Sequence, residues 1–426
     1  MTSTAPAITR AATRRLRSTF AALRHRNFRL FLIGQFISLC GTWMQQVALG
    51  WLVLQLTNSP FAVGLVTSLG SLPILLFTLY GGVVADRVDK RRFVLILQCL
   101  MLTEALTLAV LTAFHWITVP WVIGLAIFAG LLSAFEVPTR QAFVVELVGR
   151  EDLMNAIALN SSAFNVARVI GPAIAGVLLA SVGLAGCFFA NAASYIAVIV
   201  GLVQIHTERR PVQREIGAVT ALREGLSYIW SHRWPRALVV LIGGFSLFGF
   251  PFIIMMPVFA RDALHVGASG YAALVASVGL GAAIAALSLA GFGTRSRPGR
   301  LLLAGSLLFG MTLAAAALFP EYGPAFALFT VSGWAMALNG ILGNTMLQTE
   351  SPDHLRGRVM GVYSFVVLGL APFGAFQAGW VSEHLGVRWS IGLGGLVCIA
   401  VAVGVARYMA GGTGRLYRTV RRTVTS

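Results

Sequence analysis

Three ionisable side chains, Glu104, Glu136 and Arg168, stand inside long apolar runs of this sequence. A charge surrounded by hydrocarbon is costly, so such residues are by default candidates for ion pairing, proton carriage or contact with a polar ligand. All three fall at similar depth in their runs. Glu136 and Arg168 belong to neighbouring runs joined by a short break, so an ion pair between them is expected, and it could do no more than neutralise two buried charges. Glu104 has no evident partner, which makes it the candidate proton carrier; the alternative is a protonated or snorkelling side chain against lipid or a neighbouring helix.

Other chemistry finds little to work with. Lys90 is the only lysine and follows Asp89, so there is no G-x-x-x-x-G-K-[ST] phosphate loop. Neither an H-E-x-x-H zinc motif nor a G-x-S-x-G nucleophile elbow is present. Cys40, Cys99, Cys187 and Cys398 each lie in a different apolar run and read as small buried hydrophobes. The expectation is therefore no enzyme, no cofactor and no metal.

The elements that must position these residues follow from composition. The 426 residues are 57% hydrophobic and 11% charged, with a mean hydropathy of +0.81, against about 25% charged in a soluble domain. Lipid is the solvent for most of this chain. Twelve runs approach the roughly 20 residues needed to cross a bilayer: Leu30–Leu54, Phe61–Val84, Val94–Phe114, Val119–Phe143, Asn155–Val182, Leu184–Val203, Leu238–Val258, Tyr271–Phe292, Leu301–Leu318, Ala325–Leu347, Val359–Val381 and Trp389–Tyr408. With the N-terminus inside, 29 of the 32 Lys and Arg fall on the inner side and only Arg261 and Arg388 outside, as the positive-inside rule requires. The net charge of +17 thus reports topology and anionic lipid headgroups, not a nucleic-acid partner.

This gives five segments. Residues 1–29 form a basic cytoplasmic arm with seven arginines and no acid. Residues 30–205 form the first six-helix half, 206–236 a cytoplasmic linker, 237–408 the second half, and 409–426 a basic tail. Within the linker Leu222, Leu226, Ile229, Trp230 and Trp234 share a face, as in an interfacial helix. The halves also resemble each other. Gly171-Pro172 in the fifth run, with Ala167 and Ala175, answers Ala371-Pro372 in the eleventh, with Ala375 and Gly379. Small residues at that spacing let helix backbones approach closely, and Gly171, Pro172 and Pro372 are the expected packing positions.

The loop Gly82-Val83-Val84-Ala85-Asp86-Arg87-Val88-Asp89-Lys90-Arg91-Arg92 resembles the signature between the second and third helices of the major facilitator superfamily, departing from it at Asp89-Lys90. Further stretches narrow the likeness: Asn344 to Met360, with Arg356-Gly357-Arg358; Pro138; Arg150 to Ala156; and Ile170-Gly171-Pro172. Together they resemble the bacterial enterobactin-exporter-like branch, from about Phe28 to Tyr408.

That resemblance implies an all-α integral membrane fold, twelve transmembrane helices in two pseudo-symmetric six-helix halves. It implies a gating motif of Gly82, Asp86, Arg87, Lys90, Arg91, Arg356 and Arg358, in which Asp86 meets the N-terminal end of the eleventh helix and Lys90 meets an acid, Glu136 being the candidate. It places Trp43, Gln46, Ser133, Phe248, Trp334 and Asn339 near the midplane as substrate-cavity candidates. Gly171-Pro172 matches part of an antiporter signature, while the arginine many drug antiporters carry within the fourth helix is absent, Arg140 lying at its inner end. The function implied is alternating-access efflux of an amphipathic small organic molecule, drug-like or siderophore-like, by a monomer in the bacterial inner membrane, with protons as candidate coupling ion. The second-half spans lack Asp, Glu, Lys and His, so the expected cargo is apolar or aromatic without a fixed charge, unless Arg168 or Glu136 is left to pair with it. An importer or lysophospholipid carrier on the same fold, and a transport-inactive interaction protein, are the alternatives.

Overall fold

A computed structural model of the chain describes residues 21–149, 151–206, 218–292, 298–319, 321–352 and 355–410. The arm up to residue 20, Arg150, linker residues 207–217 and the tail from 411 lie outside the described residues. Among the described residues twelve helices are long and apolar enough to cross a membrane, as the apolar runs predict. In order they are α1 (Arg26–Thr57), α2 (Pro60–Arg87), α3 (Lys90–Ala113), α4 (Val119–Val148), α5 (Leu153–Ser181) and α6 (Gly183–Gln204). A linker helix, α7 (Ala218–Ser231), precedes α8 (Arg233–Ala263). Then come α9 (Ala268–Phe292), α10 (Pro298–Leu318), α11 (Tyr322–Glu350), α12 (Arg356–Leu385) and α13 (Val387–Ala410).

Local chemistry sets the ends. Ser59 caps α2 by accepting the Ala62 N–H, with Pro60 in the first turn where its missing N–H costs nothing. Asp89 caps α3, accepting the Arg92 N–H at 2.9 Å. The departure from the family's signature loop is therefore a helix cap. Left-handed residues close corresponding turns of the two halves: Asn58 after α1 and His265 after α8, Gly183 at the start of α6 and Gly386 before α13. Each pair is about 200 residues apart, the interval expected of a duplicated six-helix unit.

The helices form two compact units, residues 1–215 with 265–279, and residues 216–264 with 280–426. The first packs Phe28, Phe31, Phe143, Tyr195, Val198 and Leu202 into one core. A Cβ at Gly171 would stand 2.6 Å from the Cys40 carbonyl oxygen of α1, so only glycine permits this approach of α5 to α1. The second unit is built around Phe309, which lies 5.2 Å from the Phe245 ring, 5.9 Å from Phe252 and 6.4 Å from Phe250.

Candidate functional site

The first unit holds its buried polar groups at two levels. At the first, Glu104 of α3 is 4% exposed and both carboxyl oxygens accept from the Gln45 amide of α1, at 3.2 and 3.3 Å. Gln45 in turn accepts from Asn191 of α6 at 2.6 Å, and Asn191 accepts from the Ser194 hydroxyl at 3.1 Å. Glu104 thus has a partner that its apolar run does not reveal, and the partner is neutral. An amide carries both a donor and an acceptor, so it can serve a carboxylate or, turned over, a carboxylic acid.

The second level lies six residues away along α3. Here Glu136 of α4 forms an ion pair with Arg140, 2.8 Å apart and one helical turn on, and accepts a longer bond from Gln98 at 3.4 Å. This corrects the expected pairing of Glu136 with Arg168. It also corrects the position of Arg140: α4 runs on to Val148, so Arg140 is inside the helix, not at its end. A neighbour at i+4 on the same helix needs no loop closure and wins the carboxylate. Arg168 donates to the Asn165 side-chain oxygen at 3.0 Å, while its Nε is buried without a partner among the described residues. Among the described residues no carboxylate pairs with it.

The signature loop is used differently from the expectation as well. The Lys90 ammonium pairs with Glu146 at 2.8 Å, not with Glu136, which stands ten residues earlier on α4. Arg91 donates to the Leu202 and Val203 carbonyls at 2.8 Å each, satisfying the unpaired end of α6. Asp86 and Arg87 are exposed at the end of α2. The close approach falls on Gly81, whose Cβ would overlap the Ala134 carbonyl, whereas Gly82 has open space around it. Of the other signature residues, Arg358 binds Glu224 of the linker helix, and Arg356 donates to the Gln348 carbonyl at 2.9 Å.

Among the cavity candidates, Trp43 packs edge-on against Phe164 at 5.6 Å, and Gln46 is exposed while its neighbour Gln45 is the residue turned to Glu104. The Ser133 hydroxyl is turned to its own helix, donating to Ala129 at 2.8 Å. Phe248 and Trp334 are half-buried. Asn339 is buried, its oxygen accepting from Ser306 of α10 at 2.9 Å, so it packs between α11 and α10 where the resemblance implies an open face.

The irregularity of α8 has no counterpart in the unbroken α1. Its first α-helical part ends at Gly244, wide π turns cover Phe245–Gly249 and Phe259–Ala263, a tight turn covers Phe250–Phe252, and a short α-helical turn returns at Met256–Val258. Pro251 and Pro257 lack the N–H that a regular helix needs, and their rings crowd the preceding turn. One freed carbonyl, that of Leu247, accepts from Gln377 of α12 at 3.2 Å. The sequence signal was Gly249-Phe250-Pro251 inside an apolar run. The companions Gln45, Gln98 and Asn191 had a weaker one, since an amide among apolar residues does not name its partner.

The chain matches the family described as transmembrane secretion effector over residues 17–410. It is 25% identical over 378 residues to the staphyloferrin A transporter of Staphylococcus aureus, covering 88% of this chain and 94% of that protein. It is 28% identical over 342 residues to the enterobactin exporter EntS of Shigella boydii, covering 80% and 81%. Among solved structures, the nucleoside transporter NupG aligns with TM-score 0.70 at 12% identity, covering 90% of this chain and 99% of that one. An inward-facing bacterial homologue of the human lysosomal transporter Spinster aligns at 0.66 and 14%, covering 91% and 96%.

Proposed function

We propose, from the premise that this chain belongs to the transmembrane secretion effector family within the major facilitator superfamily, that it exports an amphipathic small organic molecule across the bacterial cytoplasmic membrane by proton-coupled alternating access. The observation that carries the coupling is the contact of Glu104 with a neutral amide in place of a cation. Glu136, by contrast, is paired with the guanidinium of Arg140. Glu104 can be satisfied in both states. It can therefore take a proton from one side and release it to the other as its surroundings change.

Arg168, with no carboxylate among the described residues, supplies a positive group for the cargo. This revises the expectation of a cargo without fixed charge: an acidic group beside an aromatic or apolar body would use both Arg168 and the Trp43 ring of the same unit. In this reading Gly82, Asp86, Arg87, Lys90, Arg91, Arg356 and Arg358 control inner closure, and both termini and the 206–236 linker are cytoplasmic. The names of the staphyloferrin A and enterobactin relatives favour a siderophore-like cargo.

The test is flux in inside-out vesicles with and without an imposed proton gradient, using matched anionic and neutral ligands of the same aromatic body. The anion should accumulate with the gradient, and Arg168→Gln should abolish its preference. Gradient-independent uptake, or equal handling of both ligands, rejects the coupling or the cargo assignment respectively.

A further inference from the structure

Where α8 begins and α13 ends, a cavity of about 360 Å³ is lined by Arg236, Ala237, Val240, Val401, Gly404, Val405 and Tyr408. Both helices are membrane spans, and Val240 is 46% exposed, so the groove opens on the lipid. Two guanidiniums share the ring of Tyr408 at its rim. The Cζ of Arg233 lies 4.3 Å from the ring centroid and that of Arg236 5.3 Å. Arg233 also donates to the Tyr408 carbonyl and Arg236 to its hydroxyl.

Neither arginine has a carboxylate partner among the described residues, and the Nε of Arg233 is buried without any partner. The preceding acid on the linker helix, Glu224, is taken by Arg358. Residues 225–261 and 387–410 contain no Asp or Glu, and Arg407 adds a third positive charge. Two like charges held against one ring repel each other unless an anion lies between or beside them, and both retain free N–H donors for it. The apolar wall beyond the rim then fits hydrocarbon, not water.

We propose that this groove is a binding site for an acidic phospholipid, its phosphate on Arg236 and Arg233 and the first part of one acyl chain along Val240, Val401, Gly404 and Val405. The charge selects the headgroup and the wall selects a lipid over a free anion. The chain's own tail is an unsuitable occupant, because residues 411–426 carry four arginines and no acid.

Native mass spectrometry of the full-length protein in detergent tests this, with phosphatidylglycerol and phosphatidylethanolamine of identical chains as probes. Phosphatidylglycerol should bind roughly tenfold more tightly, and Arg233→Gln with Arg236→Gln should remove that preference. A second variant guards against misfolding: a Cβ at Gly404 meets nothing within 4 Å, so Gly404→Leu fills the groove, leaves both arginines in place and should weaken binding of both lipids. Equal binding of the two lipids by the native protein overturns the proposal, as does unchanged binding in both variants. Full competition by millimolar inorganic phosphate makes the site a free-anion site and also overturns it. Lipid binding that appears only after removal of residues 411–426 assigns the groove to the tail.

Discussion

At mid-span the first unit directs carboxyls, amides and guanidiniums inward from α1, α3, α4, α5 and α6, whereas the second fills its interior with the rings of Phe245, Phe250, Phe252, Phe259, Phe309 and Phe329. Buried polar contacts of the second include the hydroxyl and amide pairs Ser306 with Asn339 at 2.9 Å and Thr312 with Ser332 at 2.8 Å. Its entry helix α8 is broken where α1 is continuous. The two units thus differ in what fills them, titratable and amide side chains in the first and aromatic rings in the second. Hydrocarbon offers few ways to satisfy a titratable group, so such groups accumulate where partners already exist.

The sharpest way to break this comparison is Glu104→Gln. Glutamine keeps the shape and the bond to Gln45 but cannot titrate, so gradient-driven flux should vanish while downhill exchange persists. If both fluxes fall together with expression, the first unit's polar line is structural and the contrast loses its functional meaning.

Next in size is Phe309→Ala in the second unit. Phe309 is fully buried and touches three other rings. Because the unfolded reference is also in lipid, the loss is mainly the cavity left behind, about 2 kcal/mol for a volume near 100 Å³. A fall in thermal midpoint without loss of proton coupling is expected. Loss of coupling at unchanged stability would show that the aromatic interior carries chemistry after all.

A smaller effect is expected at Gly34 of α1, where a Cβ would sit 2.7 Å from the Val198 Cα of α6. Gly34→Ala should wedge these helices apart at about 1–3 kcal/mol, the cost of overpacking. The same helices carry Gln45 and Asn191, so the variant should also weaken coupling. Unchanged stability would mean that α1 and α6 can separate freely and that the Glu104 network is not held by them.

Legibility in the sequence followed the range of the physics. Twelve spans were readable because hydrophobic runs and basic breaks are local properties, and the duplication was readable from Gly171-Pro172 and Ala371-Pro372. The positions of Glu104, Glu136 and Arg168 were equally plain. Their partners were not. Glu136 takes the arginine one turn on along its own helix in preference to one on the next helix, a choice between two nearby cations that the sequence does not decide. Gln45, not its neighbour Gln46, faces Glu104, because one residue's rotation about a helix decides which amide does so. The break in α8 depends on how two prolines are accommodated by neighbours, which no local pattern states.

The last and smallest prediction concerns how each unit ties down a peripheral segment. In the second unit Glu224 of α7 holds Arg358. In the first, Asp152 holds Arg24 and His25, each with a nitrogen 2.7 Å from its carboxyl oxygen, while the Ala22 N–H donates to Asn155 at 2.9 Å. The hydrogen bond from His25, then the bond and charge of Arg24, hold the Asp152 carboxyl below its ordinary value against an opposing effect of burial. A carboxyl lowered in the folded state contributes fully above its unfolded pKa, about 3.9, and loses that contribution only as pH falls through the lower folded value. Amide exchange over residues 21–28, corrected for intrinsic rate, should therefore be at least as protected at pH 5 as at pH 7. Asp152→Asn should raise it at both pH values, by roughly threefold for an ion pair near the surface. Wild-type protection lost already by pH 5 would mean that Asp152 is not the anchor, and the parallel between the two peripheral ties would fail.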